Sequence, residues 1–99
     1  MCEFKIIKKN DGSQIGEDIT ILSYTENYEL LLRDILGTGE VLDSALILDV
    51  NTLNQTTTVV EHPLIKDFLK LIIKINDNTI SKMDIENFQT KLSEIKQSL

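Results

Sequence analysis

Val59-Val60-Glu61-His62-Pro63-Leu64-Ile65-Lys66-Asp67-Phe68 is the stretch on which the reading of this 99-residue chain turns. Before it, apolar residues recur at every second position, the period of a strand with one face on a core. After it they recur at every third and fourth, the period of an amphipathic helix. His62 stands where a helix cap would, and Pro63 at the first helical position, where its missing N–H costs nothing. The switch divides the chain into a β part, residues 1–62, and an α part, residues 63–99.

Reading backward from the switch, Gln55 to Glu61 is rich in threonine and valine and makes a strand. Asn51-Thr52-Leu53-Asn54 is a turn, and a long strand precedes it, from about Glu40 to Val50, with apolar residues on both faces. The two glycines of Asp34-Ile35-Leu36-Gly37-Thr38-Gly39 suit a tight connection. Tyr28 to Arg33 and Asp18 to Leu22 read as two strands of a hairpin broken at Thr25-Glu26-Asn27. The first strand places Cys2, Phe4 and Ile6 on one face, and Lys8-Lys9-Asn10-Asp11-Gly12 ends it. Five short strands in about 60 residues suggest a small barrel, SH3-like or OB-like, and the residues alone do not separate these.

Reading forward, Leu64, Phe68, Leu71, Ile72 and Ile75 form one helical stripe. Ile65, Leu69 and Ile73 widen it, so this helix is expected to be covered on more than one side. Asn76-Asp77-Asn78-Thr79 stops it. Ser81, with Asp84 three residues on and Ile80 placed to pack on Ile85, starts a second helix carrying Ile85, Phe88, Leu92, Ile95 and Leu99. The two are expected to form an antiparallel hairpin.

Sixteen acids against ten bases leave a net charge of -6. The acidity is concentrated in residues 1–62, which hold eleven acids and four bases, net -7, while residues 63–99 hold five and six, net +1. Such a balance argues against nucleic acid, whose affinity comes largely from Lys and Arg neutralising phosphates, and makes a cation the more natural partner. No stretch approaches the ~18 apolar residues of a membrane span. From a single cysteine and a start without the basic and apolar segments of a signal peptide, a cytoplasmic, reduced location is expected.

Three constellations bear on chemistry. Asn76 to Asp84 has part of the pattern of a calcium loop, but that register puts Ile73 and Ile75 where oxygen ligands are needed, so it reads as a helix connection with a good cap. His62, the one histidine, reads as a cap residue, with metal ligation or proton transfer as the alternative. Cys2 is the one soft ligand: its thiolate suits nickel, copper or zinc, and beside a free chain terminus it can be joined by the α-amine and a deprotonated amide. As a neighbour of Phe4 and Ile6 on a strand face it can equally be a core residue. No base and orienting carboxylate can be paired with a nucleophile, so no enzyme activity is expected.

Met1-Cys2-Glu3 followed by a strand, Asp11-Gly12, Glu17-Asp18-Ile19, Leu32-Arg33-Asp34-Ile35-Leu36-Gly37 and the segment from Leu48-Asp49-Val50 to Val60 together resemble the CooT family of small nickel-binding proteins, over residues 1 to about 61. The resemblance implies a five-stranded SH3-like barrel acting as a homodimer, with Ni(II) bound by Cys2 at the dimer interface. Glu3 matches the same motif. It implies a non-enzymatic role in delivering nickel to carbon monoxide dehydrogenase. Family members have also been predicted to be RNA-binding proteins, and an RNA-binding or protein-interaction module built on an SH3-like barrel is the alternative. The helical hairpin, residues 63–99, departs from the family pattern.

Overall fold

The computed structural model describes residues 3–99. Six strands come first: β1 (Phe4–Lys8), β2 (Gln14–Tyr24), β3 (Leu30–Asp34), β4 (Gly39–Leu42), β5 (Ala45–Asn51) and β6 (Thr56–Glu61). Two helices follow, α1 (Pro63–Asn76) and α2 (Lys82–Gln97). The chain is thus mainly β with two C-terminal helices, as its change of period implies. The strands form one sheet in the order β4-β3-β2-β1-β6-β5, antiparallel throughout except for the parallel pair β1 and β6.

The expected count of five strands is corrected to six among the described residues. The long strand read from Glu40 to Val50 is broken at Asp43-Ser44, so its two halves become β4 and β5, the opposite edges of the sheet. Apolar residues on both faces of that run therefore belong to two strands, not to one strand bent around a barrel. Edge to edge, no ladder joins β4 to β5, and the sheet is open.

It is nevertheless strongly curled. Five strand spacings of about 4.8 Å would hold the edges of a flat sheet roughly 24 Å apart, whereas only Asp43 and Ser44 separate the end of β4 from the start of β5. Across the curl, the Tyr24 hydroxyl at the end of β2 donates to the Ala45 carbonyl of β5 at 2.8 Å. Inside it Ile6, Ile19, Leu30, Leu32, Ala45 and Val59 are buried, with Phe4, Ile15, Leu22, Leu42 and Ile47 packed around them. Every strand contributes to that cluster, which is why a small sheet can hold a core without disulfides.

The β-to-α junction is tied down on several sides. Asn10 brackets Glu61, its amide donating to the Glu61 carbonyl and its oxygen accepting the Glu61 N–H, both at 2.9 Å. Lys8 pairs with the Glu61 carboxylate at 2.9 Å. His62 caps α1 as its position implies, Nδ1 accepting the Leu64 N–H at 3.0 Å. Ser81 caps α2 in a full capping box with Asp84. Lys74 and Asp84 pair at 3.2 Å, Asp67 and Lys91 at 2.7 Å, and the rings of Phe68 and Phe88 lie 6.1 Å apart. Partners rising in number along α1 and falling along α2 make the hairpin antiparallel.

Candidate functional site

Cys2, the first expected metal ligand, lies outside the described residues; Glu3, the second, directly precedes β1 and is half-buried. The site is therefore built from the strand that leads into it. Phe4 pairs with Ile19 of β2, and Lys5 pairs with Thr56 of β6 while its N–H donates to the Gln55 carbonyl at 2.9 Å. The beginning of β1 is held in the middle of the sheet, with hydrogen-bonded neighbours on both sides.

Opposite it, β2 carries an irregularity. Between the pairs Phe4 with Ile19 and Ile6 with Gly16, β1 advances two residues and β2 three. The extra residue makes a bulge, and Asp18 takes the left-handed backbone, φ +54°. Aspartate tolerates that conformation better than most residues. Its carbonyl is turned to accept the Ile35 N–H at 3.0 Å, linking the bulge to the turn after β3. In that turn Gly37 has φ +85°, and the Asp34 carboxylate accepts the N–H groups of Leu36 and Thr38, each at 2.9 Å.

Phe4 pairs with Ile19, and Ile19 with Asp34. Three segments far apart in sequence, the start of β1, Glu17-Asp18-Ile19 and Leu32 to Gly37, are thus adjacent in the fold, within two strand spacings or about 10 Å. Next to them lies a shallow cleft of about 260 Å³ lined by Gly16, Glu17, Leu32, Asp34, Gly39 and Glu40, among others. Its three carboxylates draw cations toward this end of the sheet, a pull screened over about 10 Å in salt. Among the described residues no group of three or more His, Cys, Asp or Glu side chains is arranged to hold a metal ion.

Other candidates have structural work. His62 uses Nδ1 for its cap, and the Asn76 to Asp84 loop is a helix connection closed by the capping box. Tyr24, one of two tyrosines that could offer a stacking surface, is committed through its hydroxyl to Ala45. The Asp11 carboxylate, in the turn after β1, accepts both the hydroxyl and the N–H of Ser13, which hold it below its ordinary value of 3.8. The acidic cleft went unnoticed in the sequence because Glu17, Asp34 and Glu40 sit on three strands. Only the hairpin registers bring them together.

No model of a known protein family matches the chain, and no curated protein does. Among solved structures, the crystal structure of "putative CooT from Carboxydothermus hydrogenoformans" is similar, with a TM-score of 0.54 and 24% identity over 62% of this chain and 98% of that one. The likeness is one of fold. It takes in nearly the whole of the other chain and leaves more than a third of this one without a counterpart. No helix among the described residues is long and apolar enough to cross a membrane.

Proposed function

We propose that this protein is a non-enzymatic nickel-binding protein, a Ni(II) chaperone or accessory factor for a nickel enzyme such as carbon monoxide dehydrogenase. In this reading the ion is cargo, held by Cys2, with Glu3 beside it, at the interface of two copies of the chain. The β part serves as an SH3-like barrel that presents the start of β1. The observation that carries the reading is the fold shared with the CooT structure, taken with the adjacency of Phe4, Ile19 and Asp34. Three of the segments on which the sequence resemblance rests, the start of β1, Glu17-Asp18-Ile19 and Leu32 to Gly37, are neighbours at the strand that leads out of Cys2.

The chemistry supports the same assignment. A thiolate is a good ligand for nickel, and with the α-amine and a deprotonated amide it offers the nitrogen and sulfur donors of a square-planar ion. One chain supplies one thiolate, so a second copy doubles the sulfur donors. The net charge of -7 over residues 1–62 favours a cation over an anion as cargo.

Titration of the Met-removed protein with Ni(II), followed by sulfur-to-nickel charge-transfer absorption, tests this. Absorption should saturate at one metal per two chains and vanish in Cys2→Ser. A Cys2→Ser protein that bound nickel as tightly as the parent would end the proposal.

A further inference from the structure

We infer that the α1–α2 hairpin is a docking arm for one helix of another protein, an amphipathic helix with acidic residues along one border of its apolar stripe. The inference goes beyond the nickel reading and uses neither Cys2 nor the start of β1. It rests on which side chains the hairpin leaves uncovered and on the charges that border them.

The molecule is drawn out, with a radius of gyration of 15.6 Å, against about 13 Å for a compact chain of this length. On α1 the apolar side chains from Leu71 round to Ile73 span about 200° at 100° per residue, roughly twice the stripe that a single neighbour covers. α2 takes one border of that arc, and Leu46 of β5 lines a groove with Ile65 and Leu69 of the first turns. Farther along, Ile72 and Ile75 are 44% and 48% exposed. The ion pairs of Lys74 with Asp84 and of Asp67 with Lys91 mark the polar side of the hairpin, and the ring contact of Phe68 with Phe88 marks the apolar side. At its base the apolar side deepens into a groove of about 470 Å³ with three walls, β5, α1 and α2.

The bordering charges are of one sign. Outward from Phe88 around α2, away from the ion pairs, Leu92, Ile85, Lys96, Gln89 and Lys82 follow within about 120°. No acid falls in this arc, since Glu86 and Glu94 lie beyond Lys82. Lys82 and Lys96 are exposed, and among the described residues neither is in an ion pair. On α1 the corresponding border is apolar, at Ile73.

These features select the occupant. A helix can set side chains into a three-walled groove, whereas a bilayer is flat, and an anionic one repels the net -7 of residues 1–62. A second copy would bring lysines to lysines, because this face holds no acid of its own. A helix laid between α1 and α2 presents apolar residues at i, i+3, i+4 and i+7 and carboxylates on the α2 side alone. Lys82 and Lys96 stand about 21 Å apart along α2, which places those carboxylates near the two ends of a helix of about four turns. β1 runs parallel to β6, so α1 begins at the opposite end of the sheet from Phe4, and an occupied hairpin leaves the start of β1 open.

Two labelled synthetic peptides of about eighteen residues (about five turns) test this on the full chain in the presence of a chelator. They share one leucine stripe, bordered by glutamate in the first and by lysine in the second, and binding is read by fluorescence anisotropy. The parent should bind the glutamate peptide about tenfold more tightly at low salt, and Lys82→Glu combined with Lys96→Glu should invert that order. Ile72→Gln should weaken both peptides by about tenfold. Should Ile72→Gln lose its helical circular dichroism, the double charge reversal, at two exposed positions, decides alone. A parent that binds neither peptide, or binds both equally, overturns the inference, and so does an order that the charge reversal leaves unchanged. Light scattering without peptide and cosedimentation with vesicles of phosphatidylglycerol and phosphatidylcholine address the other occupants. Self-association or vesicle binding that Ile72→Gln abolishes overturns the inference as well. None of these outcomes touches nickel binding, which Cys2→Ser reports separately.

Discussion

Ser44 and His62 are joined twice. The Ser44 carbonyl accepts the His62 N–H at 3.1 Å, and the Ser44 hydroxyl donates back to the His62 carbonyl. The same hydroxyl accepts the Lys66 N–H at 2.9 Å. These bonds complete the account of the first turn of α1. Pro63 has no N–H, Leu64 donates to the His62 ring, Ile65 to the His62 carbonyl at 3.1 Å, and Lys66 to Ser44. The residue that breaks the long strand into two sheet edges is also the one that seats the helix.

Ser44→Ala should therefore destabilise the protein by about 1–3 kcal/mol, the cost of leaving partly buried donors and acceptors unmatched. Urea denaturation followed by far-ultraviolet circular dichroism measures it. A midpoint equal to that of the parent would mean that the junction is held by Asn10, Lys8 and the helix cap without the hydroxyl.

This junction marks how far the sequence could be read. Pro63 and the change of period located the helix start correctly because capping chemistry is local, and the Ser81 to Asp84 box was legible for the same reason. The break at Asp43-Ser44 also had a local signal, two residues that favour turns, but it lay inside an apolar run that outweighed it. Sheet order, the bulge at Asp18 and the acidic cleft depend on register between strands far apart, which a period of two does not specify. Of the expected metal residues, the position of Glu3 beside β1 followed from the strand pattern. Cys2 still rests on chemistry and resemblance.

Tyr24→Phe tests the curl of the sheet. The hydroxyl reaches Ala45, three strands away in the sheet order, at 2.8 Å. Its loss should cost about 0.5–1.5 kcal/mol, read from a urea midpoint. Burial holds Tyr24 above its ordinary pKa of 10.0. A proton bound more tightly in the folded state gives a contribution that is complete below the unfolded value and disappears as pH rises through the folded one. The difference in stability between parent and Tyr24→Phe should thus narrow in strongly alkaline solution.

Gly16 faces the core at the bulge. A Cβ there would lie 3.2 Å from Cγ1 of Ile6, a fully buried side chain, and 3.4 Å from Cγ1 of Ile19. Both neighbours are packed in the central cluster and have little room to give, so Gly16→Ala should destabilise by about 1–3 kcal/mol, as overpacking does. Thermal melting measures this. An unchanged melting temperature would show that the bulge yields easily, and the register that brings Phe4 and Asp34 together would then be soft.

The capping box of α2 should make the hairpin acid-sensitive. The Asp84 carboxylate accepts the Ser81 N–H at 3.0 Å and pairs with Lys74 at 3.2 Å, and the bonds from Ser81 first, then the one from Lys74, hold it below its ordinary value of 3.8. A carboxyl whose folded pKa is depressed contributes stability that is complete above the unfolded value and is lost as pH falls through the folded one. Asp84→Asn removes the charge at every pH. Parent and variant should accordingly differ near neutrality, by an amount that shrinks once the pH drops below the ordinary carboxylate range. Helical circular dichroism during urea denaturation at a series of pH values gives that difference directly. A gap that stayed constant down to the lowest pH would mean that the Asp84 charge contributes nothing and that Ser81 caps the helix alone.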